Sequence, residues 1–202
     1  MIGGLFTVAA IVMLVSTAGG GGWLVAGGPL QGHAEAPATV NPDTAAEHGF
    51  AEPTVEEVEI QETITAGGVE KRVNVTGYVA ATGTQDGAVQ VLLLTLPGWD
   101  VAGVTANPLA YVPLKQAVRH VLPQLPMETP EVTWEGESSM ELGGQTVTAG
   151  EYAVEGQEMQ LVVARRTIEG DPVFAVGAYD ADQPDFRDRI EGLFAEVTTT
   201  EQ

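Results

Sequence analysis

The chain has 202 residues, with 28 Asp and Glu against 8 Lys and Arg, a formal net charge of −20, and no cysteine. This charge argues against nucleic acid as a partner, because phosphate binding requires clustered Lys and Arg. The lack of cysteine excludes disulfides, thiolate zinc sites, S-lipidation and a cysteine nucleophile.

The N-terminal segment Met1–Ala34 contains no Asp, Glu, Lys or Arg. Its apolar run Ile2–Thr17 is longer than a typical signal-peptide core of about 7–15 residues and shorter than a membrane span of about 20. Residues 1–25 are therefore predicted to be a transmembrane or signal segment, either retained as an anchor or cleaved. No basic residue precedes the run, so membrane orientation and the true start codon stay open.

Residues 26–53 are rich in Gly, Pro and Ala and are interpreted as a linker, with one short helix beginning near Asn41. An acidic domain is predicted over residues 54–198. Alternating apolar and polar residues in Thr54–Thr65 and from Val69 to Val79 predict a β-hairpin. The continuous apolar run Ala88–Leu96 is typical of a strand that is covered on both faces.

The second half of the domain predicts a helix, a meander of strands and a closing helix. The first helix is expected over Pro113–Leu122, where apolar residues form one stripe. Glycine-rich turns separate the strand segments Glu137–Leu142, Gln145–Val154, Met159–Ile168 and Val173–Tyr179. The last helix begins at Asp182–Asp185 and presents a stripe from Phe186 to Val197. We expect an α+β fold, an antiparallel sheet flanked by helices as a layered sandwich, preceded by an N-terminal apolar membrane helix.

The acid excess indicates adaptation to high salt. Repulsion among like charges opposes compact folding, and it is screened at high salt, where the Debye length is about 3 Å at 1 M. Only Lys71 and Lys115 are lysine. We interpret this composition as that of a halophilic archaeal protein, with an ordinary acidic bacterial domain as the alternative.

Four segments read VEKRVNVTGYVA, ANPLAYVPLKQAVRHVL, ELGGQTVTAGEYAVEG and, at the join to the leader, GGPLQGHAEAPATVNPDTAAEHGF. In these segments the chain resembles a haloarchaeal family of exported domains of unknown function, over roughly residues 29–197. The resemblance implies an exported domain whose leader commonly ends in a lipobox cysteine. The corresponding stretch here, Ser16–Gly20, has no cysteine, so lipidation does not carry over. The meander and closing helix also resemble the sandwich of photosystem oxygen-evolving P subunits and Mog-type proteins, which implies a fold and no function.

Few residues suggest specific chemistry. His33, His48 and His120 lack the i, i+4 spacing of a zinc site. The stretch Tyr179–Asp185 resembles half of a calcium loop but lacks its glycine and distal Glu, so helix capping is the expected role. Arg165 and Arg166 point to opposite faces of a strand and are expected to pair with acids.

Asn74-Val75-Thr76 is an N-glycosylation sequon, which makes Asn74 a candidate acceptor on an exported domain. The sequence predicts no catalytic residue, no metal ligand, no cofactor-binding residue and no cofactor.

We therefore expect a non-enzymatic domain at the cell membrane, tethered by its N-terminal helix on the extracytoplasmic side, acting as an envelope binding or accessory module. One alternative is a small-molecule binder with an apolar cleft between the sheet and helix 113–122, lined by Trp99, Tyr111 and Trp134. Another is a hydrolase whose site is assembled from distant residues. The sequence leaves the protein or small-molecule partner, the oligomeric state and the fate of the leader open.

Overall fold

A computed structural model describes residues 30–66, 69–98, 100–101, 104–105, 113–121, 131–183 and 185–200. In chain order the strands are β1 (Leu30–His33), β2 (Ala38–Thr39), β3 (Thr54–Ala66), β4 (Val69–Gly83), β5 (Val89–Thr95), β6 (Asp100–Val101), β7 (Val104–Thr105), β8 (Val132–Leu142), β9 (Gln145–Val154), β10 (Met159–Ile168), β11 (Asp171–Asp180) and β12 (Thr198–Thr199). The helices are α1 (Pro42–Glu47), α2 (Leu114–Val121) and α3 (Asp185–Ala195).

One eight-stranded sheet organises the described residues, in the spatial order β1-β4-β5-β11-β10-β9-β8, with β3 also paired to β4. Every pairing in it is antiparallel except that of β1 with β4, which is parallel. The hairpin of β3 and β4 is paired from Thr54 opposite Ala81 to Ala66 opposite Val69. Short pairs of strands, β2 with β12 and β6 with β7, lie outside this sheet.

Strand β11 lies in the middle of the sheet, between β5 and β10. All of its residues except Asp180 are buried. Its sequence, DPVFAVGAYD, is apolar at almost every position, as expected of a strand whose two faces are both covered. The sheet therefore has a core on each face.

The first core lies on the face covered by α2, where Ala117 and Val118 are buried against Leu94, Phe174 and their neighbours. The second core lies on the opposite face, under α3 and the N-terminal segment. In this second core Ile190, Leu193 and Phe194 of α3 are 0% exposed. Burying such side chains contributes roughly 1.5–3 kcal/mol each, so both faces stabilise the sheet.

The expected α+β fold class is wrong, because the fold is mostly β-sheet and β-sandwich-like, with few helices. The described helices have only 6, 8 and 11 residues, whereas β3, β4 and β8 have 13, 15 and 11. The turns within the meander are short, so most of that part of the chain lies in strands. Sequence periodicity predicts these elements, although β8 begins at Val132 and not at Glu137, but it overestimates the contribution of the helices to the architecture.

The expected membrane helix, residues 1–25, lies outside the described residues. Across the ranges that the structure does describe, no helix is both long and apolar enough to span a membrane.

Residues 30–53 differ from the linker that their composition predicts. The short helix predicted near Asn41 is α1, but the segment also forms β1 and β2, and Ala38, Val40 and Phe50 are buried in the second core. The Ala38 N–H also donates to Thr95 Oγ1 of β5 at 2.9 Å. Ala and Val are apolar as well as small, so a segment rich in them can pack closely against a sheet.

Candidate functional site

A cavity of about 440 Å³ lies where the end of α1, the turn between β4 and β5, and α3 meet. We call it the Arg189 pocket. It combines a guanidinium, a carboxylate, an aromatic ring and the polar groups of the turn. Its lining residues are Ala46, Gly49, Phe50, Thr84, Gln85, Asp86 and Arg189.

Arg189 is held in place by backbone and aromatic contacts. Its Nε donates to the carbonyl oxygen of His48 at 2.8 Å, and its Nη2 donates to that of Gly49 at 3.0 Å. His48 is the C-cap residue of α1 and Gly49 follows it, so Arg189 holds the backbone at the point where this helix ends. The guanidinium carbon also lies 5.4 Å from the ring centre of Phe50 and 5.3 Å from that of Phe186, within the range of cation–π contacts.

Those two hydrogen bonds use two of the five N–H donors of a guanidinium. The group is therefore oriented by the fold and retains donors that can serve a ligand. Its backbone acceptors are separated from it by about 140 residues of sequence, so the arrangement exists only in the folded chain.

Asp86 supplies the negative charge of the pocket from the exposed turn between β4 and β5. Its Oδ1 accepts a hydrogen bond from the N–H of Ala88 at 3.1 Å. The pKa of Asp86 is lowered, first by a hydrogen bond from the Thr84 hydroxyl, then by the Ala88 N–H, with a smaller contribution from the charge of Arg189. The carboxylate is therefore ionised at neutral pH.

Arg189 and Asp86 line the same cavity, but they do not form an ion pair with each other. In the part of the chain that the structure describes, the ion pairs within 4.0 Å are both made by Arg187. The Thr84 hydroxyl is occupied, because it accepts the N–H of Val89 at 3.0 Å while it bonds to Asp86. The cavity therefore presents one guanidinium and one carboxylate, each held by other groups of the fold.

Close packing of α1 against α3 forms one wall of this pocket. Gly49 has φ of +77°, and a Cβ there would clash with the guanidinium of Arg189. A Cβ on Gly192 of α3 would likewise clash with the His48 ring. The positive φ of Gly49 favours glycine there, and the lack of a side chain on Gly192 leaves room for the His48 ring.

Arg187 also belongs to α3, but it forms a polar cluster that is separate from the Arg189 pocket. Its Nη2 donates to Glu151 Oε1 at 2.7 Å and to Ser138 Oγ at 2.9 Å, and its Nη1 pairs with Glu191. The Ser138 hydroxyl donates to the same Glu151 oxygen at 2.6 Å. Burial opposes the charged form of Arg187, but the hydrogen bond and charge of Glu151 outweigh it and raise its pKa. The cluster ties α3 to β8 and β9.

Asn74, the glycosylation candidate, lies within β4, opposite Gln31 of β1 on one side and Gln61 of β3 on the other. Its Oδ1 is buried, and among the described residues it has no hydrogen-bond partner. It lines a second cavity of about 380 Å³ with Gln31, His33 and Thr76. Glycosylation of Asn74 stays a prediction. The residue lies in β4 between two neighbouring strands, β1 and β3.

The predicted apolar cleft involves α2 and three aromatic residues, of which Trp99 and Tyr111 lie outside the described residues. Trp134 packs against the first core, edge to face with Tyr152 at 5.1 Å and beneath Lys115 Nζ at 5.5 Å. The structure thus brings Trp134 and α2 together. Their contacts are those of a packed core, with Ala117 and Val118 at 0% and 1% exposure.

The remaining candidates have local structural roles. His33 Nε2 lies 3.1 Å from the Tyr78 hydroxyl, and Asp180 Oδ1 accepts the N–H of Asp182 at 2.9 Å. Arg166 donates to the carbonyl oxygens of Leu142 and Gly143, where an acidic partner was expected. Within the described ranges, no group of three or more His, Cys, Asp or Glu is placed to hold a metal ion.

Arg165 has a different environment from its neighbour. Its guanidinium carbon lies 5.9 Å from the Phe174 ring centre, and burial lowers its pKa. The side chain of His120 lies outside the described residues.

Sequence reasoning missed the Arg189 pocket. Phe50, Asp86 and Arg189 belong to no sequence motif. One signal was available: Arg189 lies between Phe186 and Ile190 in the apolar stripe of α3, where a charged side chain needs a partner.

The chain matches one family model, and two solved structures are similar to it at low sequence identity. The solution structure of cyanobacterial PsbP (CyanoP) from Synechocystis sp. PCC 6803 is similar, with a TM-score of 0.43, 8% identity, and coverage of 83% of this chain and 94% of that one. The crystal structure of LpqN, involved in cell envelope biogenesis of Mycobacterium tuberculosis, gives a TM-score of 0.30, 13% identity, and coverage of 82% and 99%. TM-scores below 0.5 do not establish a shared function.

None of the curated proteins matches the chain. A family described as a domain of unknown function, DUF6517, matches residues 37–198, which span the elements from β2 to β12 and include the whole Arg189 pocket. Because this match covers most of the chain, the protein belongs to the DUF6517 family of domains of unknown function.

Proposed function

We propose that this protein is a non-enzymatic binding module of the cell envelope of a halophilic archaeon, tethered to the membrane by its apolar leader with the acidic domain outside the cytoplasm. The observation that carries the proposal is the division of charge along the chain. Met1–Ala34 has no charged side chain, and all 28 acids and 8 bases follow it.

The physical argument concerns the two solvents that such a chain would meet. An uncharged apolar segment is stable in hydrocarbon, whereas each charged side chain there costs several kcal/mol. The acidic domain is suited to salty water, where screening removes most of its self-repulsion. If the leader lies in the membrane and the domain lies outside the cytoplasm, each part of the chain is in the solvent that suits it.

Cell fractionation tests this location. The full chain is expressed with a C-terminal tag in a haloarchaeal host, and the membrane and soluble fractions are separated. We expect the tag in the membrane fraction and accessible to protease on intact cells. The variant Ile11→Asp with Leu14→Asp should shift the tag to the soluble fraction. The matched control, Thr200→Asp with Gln202→Asp, adds the same charge at the other end and should leave the tag with the membranes. Wild-type chain found full-length in the cytosol would refute the location.

A second candidate function, small-molecule binding, is favoured by the Arg189 pocket. This site differs from the cleft that the sequence predicts beside α2. Its fixed guanidinium and ionised carboxylate are recognition groups, and its hydroxyl is held by Val89 and Asp86. A guanidinium and a carboxylate that the fold holds in one cavity can pair with a ligand of complementary charge, and this supports binding.

A further inference from the structure

The Arg189 pocket presents a fixed positive group at its wall and a fixed negative group at its rim. At the wall, the two carbonyls and two aromatic rings around Arg189 restrict the guanidinium before any ligand arrives. A planar guanidinium fork matches a carboxylate in geometry as well as in charge. Its immobilisation reduces the entropy lost when a ligand binds.

A simple anion does not fit the rest of the site. Asp86 lines the same cavity, so it would repel a second negative charge, as would the formal net charge of −20 on the whole chain. A ligand that also carries a positive group would remove this conflict. Its cation would face Asp86, whose position is set by Ala88 and Thr84.

The size of the cavity limits the ligand. Its volume of about 440 Å³ is near the lower end of the range for small-molecule pockets, about 300–1,000 Å³. The amide of Gln85 adds a further donor and acceptor at the rim.

We propose that the Arg189 pocket binds a small zwitterion of the free α-amino acid class, with the carboxylate on Arg189 and the ammonium group facing Asp86. The inference rests on the proposed role of the chain as a binding module and names the ligand class of that module.

Isothermal titration calorimetry tests this ligand assignment. The full chain is purified in detergent and kept at a salt concentration at which it stays folded. The probes are L-alanine, which carries both charges, and acetate and methylammonium, which carry one each. We expect L-alanine to bind at least about tenfold more tightly than either single-charge probe, because it satisfies both groups at once.

Asp86→Asn is the decisive variant, because it removes the rim charge while keeping an oxygen for the Ala88 N–H. It should weaken L-alanine binding about tenfold and leave acetate binding unchanged or tighter. Asp182→Asn is the matched control: it makes the same change at another exposed position outside the pocket and should alter neither. Arg189→Lys should weaken both L-alanine and acetate, but Arg189 also holds α1, so Asp86→Asn decides the test.

Equal binding of L-alanine to the Asp86→Asn and Asp182→Asn variants would overturn the ligand assignment, as would no binding of L-alanine to the wild type. Either result, with the chain still in the membrane fraction, leaves the envelope location standing. Binding by a chain that fractionates with the cytosol supports the ligand site and rejects the location.

Discussion

At the scale of single residues, one buried carboxylate connects distant segments of the chain by hydrogen bonds. The carboxylate of Asp171 is 6% exposed and accepts the N–H groups of Glu35 and Gly98, each at 2.7 Å. It thereby joins the N-terminal segment and the end of β5 to the start of β11. Burial raises the pKa of Asp171, and the two backbone hydrogen bonds act in the opposite direction.

Two tyrosines of the sheet give a matched test of such bonds. The Tyr179 hydroxyl donates to Gln160 Oε1 at 2.9 Å, whereas the buried Tyr152 hydroxyl has no partner among the described residues. Burial raises the pKa of Tyr152 to about 12, so its hydroxyl stays protonated at neutral pH.

We predict that Tyr179→Phe lowers the free energy of unfolding by about 1 kcal/mol, because it removes the hydrogen bond that the hydroxyl donates to Gln160 Oε1. Tyr152→Phe should leave the free energy of unfolding unchanged or raise it slightly, since a buried hydroxyl without a partner is costly. Chemical denaturation of both variants checks the pair. An equal loss of stability in both would contradict the assigned bonds.

At the scale of elements, the packing of α3 on β11 decides how the second core is closed. Gly177 of β11 lies beneath Ile190, and a Cβ on Gly177 would lie 2.7 Å from Ile190 Cγ2 and 3.1 Å from Val162 Cγ1. Those groups belong to a packed core, which resists added volume. The helix can lie this close to the sheet because the strand carries glycine at that point.

Gly177→Ala is therefore expected to destabilise the fold by about 1–3 kcal/mol through overpacking. Gly136→Ala is the control, because a Cβ on Gly136 of β8 would have no atom within 4 Å in the described structure. Thermal unfolding of the two variants measures the difference. If Gly136→Ala cost as much as Gly177→Ala, the loss would come from the backbone change and not from α3.

At the scale of the whole molecule, the excess of acids governs behaviour in salt. Glu56, Glu57 and Glu59 of β3 are exposed, and acidic side chains on a strand also discourage its pairing with other chains. Their mutual repulsion acts over the Debye length, which falls from about 10 Å at 0.1 M to about 3 Å at 1 M.

We predict that the Tm of the full chain rises between 0.1 and 1 M KCl, because screening relieves repulsion in the folded state more than in the expanded one. Replacing Glu56, Glu57 and Glu59 by Gln should reduce that rise. Differential scanning fluorimetry across the salt series measures both. A Tm that does not change with salt would contradict the interpretation of the acids as a salt adaptation.

Local sequence patterns predict most of the strands of the fold, but they do not predict the relative amounts of helix and strand. Alternation and glycine turns predict the hairpin of β3 and β4, the buried strand β5 and the strands β9 to β11, and the structure confirms them. Strand β8 is also present, but it begins at Val132 and not at the predicted Glu137. Residues 30–53 were misjudged because composition does not distinguish a flexible linker from a segment of small apolar residues packed on a sheet.

The sequence by itself determined the charge division, the strands and their turns, since these depend on residues close together along the chain. Only the tertiary structure decided that the fold is mostly β and that Arg189 meets the backbone of His48, 141 residues away, beside the turn that carries Asp86. No local periodicity encodes such a contact. It arises when α1, α3 and that turn pack around one sheet, and the resulting pocket is where the candidate site lies.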